Sequence, residues 1–167
     1  SAASDVYKRQ DLGPYRKTAA KDSNPFTPAV NLYFGLEAAL DMMQKEGLDA
    51  IFARHARHRA AAQAGMKAMG LPLFAAEGCG SPAITAVAPE GIDAEQLRKA
   101  VKEKFDILLA GGQDHLKGQV FRIGHLGYVC DRDVLTAVAA IESPLQSLGL
   151  HKGSMGAGVA AASAGLG

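Results

Sequence analysis

Gly118-Gln119-Val120-Phe121-Arg122-Ile123-Gly124 is the stretch from which the fold can be read. Val120, Phe121 and Ile123 favour a pleated strand, and glycines bound the run. Alternation puts Phe121 and Ile123 on one face and Arg122 on the other with Val120. Immediately upstream, Asp106 to Ala110 reads as a second strand. The Gly111 to Gly118 segment between them carries three glycines and reads as a hairpin-type connection. Leu71 to Ala75 and Ala83 to Ala88 are short apolar runs bounded by Gly, Ser and Pro, and also read as strands. Helices surround them. Asp93 with Gln96 is a capping-box pattern, opening a helix whose apolar face is Leu97, Ala100, Val101 and Phe105. Asp131 begins a last helix with Val134, Leu135, Val138 and Ile141 inward. Far upstream, Thr27-Pro28 reads as an N-cap with proline at the first helical position. Leu32, Leu36, Leu40 and Met43 follow at helical spacing, and Gly47 ends the run. Asp49 caps a second helix reaching Met69, stopped by Gly70 and Pro72. The order is helix, helix, strand, strand, helix, strand, strand, helix. It predicts an α/β chain of the α+β type, with helices packed on one face of a small, mostly antiparallel sheet.

The ends read differently. Ser1 to about Arg16 is polar and lacks a helical or strand period, and Ser1–Gln10 reads as a non-native leader. Gly153 to Gly167 is rich in Gly, Ala and Ser with almost no charge, so a weakly ordered tail is expected over 150–167. The folded body is expected from about Asn24 to Gly149.

Composition removes several classes of function. The 167 residues carry 18 Lys+Arg against 17 Asp+Glu, a net charge of +1, which gives no electrostatic case for nucleic acid or an anionic membrane. Tryptophan is absent and aromatics are 6%, so no stacking platform for single-stranded nucleic acid is on offer. No apolar run reaches bilayer length, and no signal-peptide pattern is visible. Cys79 and Cys130 are the only cysteines, far apart and without metal-ligand spacing. A disulfide framework is excluded, and a cytoplasmic setting is expected.

Arg122 is the most informative residue. A guanidinium on a strand among apolar neighbours, with glycines close by at Gly124 and Gly127, can hold a carboxylate through two parallel hydrogen bonds. The competing reading is an outward-facing cation on a half-exposed strand. His55 and His58 lie three apart with Arg54, Arg57 and Arg59 interleaved. They could form a phosphate-binding face or half a metal site, against a solvated basic helix face with one histidine packed. No residue completes a metal set, so no metal is expected. Gly111-Gly112 could cradle a phosphate, but the spacing fits neither the P-loop nor the dinucleotide fingerprint. The helix start at Thr27 presents free N–H groups to anions, although a cap alone would explain the residue.

Pro25 to Gly47 (PFTPAVNLYFGLEAALDMMQKEG), Phe52 to Ala62 (FARHARHRAAA) and Gly118 to Val129 (GQVFRIGHLGYV), with Asp11-Leu12 before them, resemble the C-terminal part of class V aminotransferases. The likeness is strongest to the alanine–glyoxylate and serine–glyoxylate group, which includes cyanobacterial sequences labelled as the small subunit of a soluble hydrogenase. It covers roughly Asp11 to Leu148. The resemblance implies a fold type I enzyme using pyridoxal 5'-phosphate, homodimeric, with active sites at the subunit interface. It implies that 11–26 returns from a large domain and 27–149 is the small domain. The cofactor lysine would lie outside the chain, which would be inactive alone. It further implies that Arg122 binds the substrate carboxylate. Thr27 would contact the cofactor phosphate of the neighbouring subunit, and Asn24 would supply a nearby polar phosphate contact. The implied reaction moves an amino group from alanine or serine to a 2-oxo acid such as glyoxylate. A second reading, from another class, is a non-catalytic small-ligand-binding or assembly module.

Overall fold

The computed structural model describes residues 11–150 and 153–167. The expected leader, 1–10, lies outside the described residues. The chain divides into two compact units, one ending at Gly47 and the other running from Leu48 to Gly167.

The first unit holds helices α1 (Leu12–Ala19) and α2 (Val30–Glu46). Sequence period gave no sign of α1. Its start is local chemistry: Asp11 Oδ1 accepts from the Gly13 N–H at 2.8 Å, an N-cap bond. Tyr15 and Phe26 meet edge to face with ring centroids 6.0 Å apart. Thr27 does not cap α2, contrary to expectation. The Val30 N–H bonds back to the Pro28 carbonyl at 3.0 Å, so a tight turn uses these residues and the helix starts with Ala29 as N-cap. Helix α2 buries none of its residues; Leu32 is 75% and Phe34 64% exposed.

In the second unit, α3 (Leu48–Ala68) begins one residue before the expected cap, and Asp49 lies in its first turn, where its charge suits the helix dipole. Strands β1 (Ile84–Val87), β2 (Ala110–Gly111) and β3 (Phe121–Gly124) form one antiparallel sheet in the order β1-β3-β2. Thr85 faces Ile123 and Val87 faces Phe121, and these four residues form the buried side of β1 and β3. Helix α4 (Ala94–Phe105) starts as expected, with Asp93 Oδ1 accepting from the Glu95 N–H. Leu97 and Val101 are fully buried, as are Val138 and Ile141 of α5 (Asp131–Ser147). With Ala61, Ala62 and Met66 of α3 they close over Val87 and Phe121 to make one core. This is the expected class of fold: helices on one side of a small antiparallel sheet.

Three expectations change. The strand expected over Leu71 to Ala75 is a single bridge, Leu73 to Val87, because Pro72 has no N–H to extend it. The strand expected over Asp106 to Ala110 shrinks to Ala110–Gly111. Asp106 caps α4 in the left-handed region (φ 55°), and the Leu109 carbonyl is taken by the Arg98 side chain instead of a strand neighbour. The tail is not weakly ordered: Ala157–Ala164 forms α6. Helix α6 packs on α3 and α5. The approach is close, since a Cβ added at Gly158 would meet Met69 Cγ at 2.8 Å. Glu142, 1% exposed, accepts the Gly158 N–H at 3.0 Å and so satisfies a free donor in the first turn of α6.

Candidate functional site: a guanidinium on the central strand

Arg122 stands on β3 with a paired strand on each side. Its register partners are Ala86 on β1 and Ala110 on β2. Alternation turns it away from the core that Phe121 and Ile123 enter, and it is half-buried. Val120, expected on the same face, precedes the strand instead and is buried, its carbonyl accepting the Gly112 N–H at 2.8 Å. Both register partners carry only a methyl side chain. Arg122 Nε donates to the Gly111 carbonyl at 3.1 Å. The two terminal nitrogens have no partner among the described residues, and no carboxylate pairs with them. A guanidinium fixed at Nε, with its outer edge free, can bind an external carboxylate end-on through two N–H groups.

The arginines of the basic face of α3 are not freely solvated but bonded within the chain. Arg54 Nη1 donates to the Gly127 and Val129 carbonyls, both at 3.0 Å, and Arg59 Nη1 to the Gly80 carbonyl at 3.3 Å. Arg57 and the fully buried His58 share Asp131 Oδ1, at 2.9 and 2.8 Å. One histidine is packed, as one reading had it, but Arg54 and Arg59 fasten loops and Arg57 the start of α5. Arg54 and Arg57 hold the segment that follows Arg122 against α3. These contacts keep the Asp131 carboxyl below its ordinary range, the Arg57 hydrogen bond most of all and the His58 bond next. His125, three residues after Arg122, is buried and meets Thr85 Oγ1 through Nε2 at 2.9 Å, linking the end of β3 to β1. Burial depresses its basicity, and the positive fields of His58, His55 and Arg59 add to that. A cleft of about 430 Å³ lies along α3, lined by Arg59, Gln63, Lys67 and residues 75–81, but Arg122 does not line it. The Gly111–Gly118 connection is a hairpin link, as expected, with a short 3-10 turn at Asp114–Leu116.

Asn24 and Thr27 lie in the first unit, three residues apart in one exposed segment before α2; Arg122 belongs to the second unit. Neither polar side chain is engaged among the described residues. A hydroxyl and a primary amide both carry hydrogen-bond donors. Among the described residues no cluster of three metal-ligating side chains occurs.

The antiparallel sheet with its helical cover matches the C-terminal portion of fold type I aminotransferases, and over that portion the chain's homologues and structural neighbours are class V aminotransferases. It is 64% identical over 153 residues to the soluble hydrogenase small subunit of a Synechococcus strain, a match covering 92% of this chain and 40% of that protein. It is 40% identical over 141 residues to the serine–glyoxylate aminotransferase of Arabidopsis thaliana, covering 83% of this chain and 35% of that one. Among solved structures, the ureidoglycine–glyoxylate aminotransferase of Bacillus subtilis superposes with a TM-score of 0.84 at 33% identity, covering 93% of this chain and 41% of the other. The chain thus spans about two fifths of the length of these relatives. No family model matches it. Complete enzymes of this class use pyridoxal 5'-phosphate.

Proposed function

We propose that the complete protein carrying this chain is an aminotransferase that moves an amino group from alanine or serine to a 2-oxo acid such as glyoxylate. Pyridoxal phosphate, when bound, supplies the electron sink for this chemistry. In this reading 27–149 is the small domain, 11–26 is the segment returning from the large one, and the cofactor lysine belongs to the rest of the protein. Arg122 binds and orients the α-carboxylate of both the amino donor and the oxo acceptor, a positioning role without proton transfer. Thr27 and Asn24 donate to the cofactor phosphate of a second subunit in a homodimer, in the cytoplasm. The observation that carries the reading is the free outer edge of Arg122 between two alanines on the central strand.

The test is steady-state kinetics of the complete protein with both substrates. Arg122→Ala should leave fold and cofactor absorbance largely intact. It should lower both specificity constants by roughly thirty- to a thousand-fold, equivalent to about 2–4 kcal/mol for a lost bidentate contact. Constants that stay within a few-fold of the parent would sink the assignment.

A further inference from the structure

We propose that Arg98, paired with Glu95, is a positioning residue for Arg122 and acts through the edge strand β2; the proposal rests on Arg122 being the carboxylate clamp. Strand β2 is only Ala110–Gly111, and a short edge strand frays unless something other than its ladder holds it. Helix α4 supplies that hold. Arg98 Nε donates to the Leu109 carbonyl at 2.7 Å, and Arg98 Nη1 pairs with Glu95 Oε2 at 2.5 Å. The ion pair occupies the space a side chain at Gly111 would need: a Cβ there would sit 2.6 Å from Arg98 Nη1 and 2.8 Å from Glu95 Oε1. The Gly111 carbonyl is the group that accepts Arg122 Nε. Beyond it, the turn closes so tightly that a Cβ at Gly112 would lie 2.1 Å from the Leu116 carbonyl oxygen.

The strand is therefore fixed at Leu109 by Arg98 and at Gly112 by Val120, with the Arg122 acceptor between them. If Leu109 is released, the Gly111 carbonyl shifts and the guanidinium plane turns with it. A fork-shaped donor loses affinity for a planar carboxylate when its plane turns. The consequence is specific to substrates that carry a carboxylate.

The experiment uses the complete protein with Arg98→Met, Glu95→Gln, Arg122→Ala and a control, Lys99→Ala, from the exposed Lys99–Glu103 pair on the same helix. KM and kcat are measured for alanine and glyoxylate, and the transamination rate for ethylamine, which lacks the carboxylate. Arg98→Met should raise both carboxylate KM values roughly five- to thirty-fold with a smaller change in kcat, leaving ethylamine and cofactor absorbance unmoved. Glu95→Gln, which keeps the Arg98–Leu109 bond, should move the same values less in the same direction. Lys99→Ala should match the parent. If Arg122→Ala raises KM while Arg98→Met and Glu95→Gln stay within two-fold, the positioning role is wrong and the clamp stands. Equal losses for ethylamine and alanine would reduce Arg98 to a structural support and overturn the proposal. If Arg122→Ala itself changes nothing, the clamp and the proposal fall together.

Discussion

At the scale of single residues, chemistry here follows from which nitrogen of a side chain is already spoken for. Arg122 has Nε committed and its outer edge free; Arg54 and Arg59 have theirs committed to loop carbonyls and Arg57 to Asp131 at the start of α5. That difference was not legible in the sequence, where all four are arginines near apolar residues. Strand period separated Arg122 from the others, and the resemblance gave it a partner. Arg122→Lys should therefore behave nearly as badly as the alanine variant in the same kinetics, because an ammonium cannot reproduce the planar fork. His125 makes a second prediction. Its native basicity is held below the ordinary value of 6.5 by burial, so the unfolded chain binds the proton more readily. Its contribution to stability is complete above that value and is lost as pH falls beneath it. Asp131 and Asp133, also held below the ordinary 3.8, give up theirs only in stronger acid. The urea midpoint should thus decline from about pH 6.5 downward and more steeply below about pH 4. A midpoint level down to about pH 5 would contradict the first step.

At the scale of elements, helices α4 and α5 and strand β3 could be read because each pairs a cap or boundary with a clear period: Asp93 before Leu97 and Val101, Asp131 before Val134 and Val138, glycines around Phe121 and Ile123. Helix α6 could not. Its alanines and glycines offer no amphipathic contrast, and its anchor is sixteen residues away in Glu142. One signal was present: Glu142 falls within the inward stripe of α5, beside Ile141 and four residues after Val138, where a charge has no business unless it is bonded. The Asp106 to Ala110 strand failed for the same kind of reason, since the bond that truncates it comes from Arg98, eleven residues from Leu109. Glu142→Ala should destabilise the protein by about 1–3 kcal/mol, because it removes the carboxylate that satisfies the Gly158 N–H. Glu142→Gln, which keeps an acceptor, should cost clearly less. Urea denaturation checks the magnitudes, and limited proteolysis near Gly153 should speed up in the alanine variant. Equal stability of all three proteins would mean that α6 is held by packing alone.

At the scale of the whole molecule, the two units are built differently. The second has a closed core, whereas α2 in the first carries Leu32, Leu36, Leu40 and Met43 at 46–75% exposure. A helix so apolar on an exposed face drives association. The isolated chain should self-associate at micromolar concentration, and Leu32→Glu with Leu36→Glu should relieve it; sedimentation velocity reads both, and a clean monomer of the parent would refute the expectation. The sheet order has a different consequence. Because β3 lies between two partners, its amides are bonded on both edges and should be among the last to exchange with deuterated solvent. The proposed carboxylate clamp, Arg122, is thus mounted on the part of the second unit expected to give way last. Heat should not produce a half-melted form that keeps its fold while losing its grip. Substrate affinity and the native state should fade along one curve.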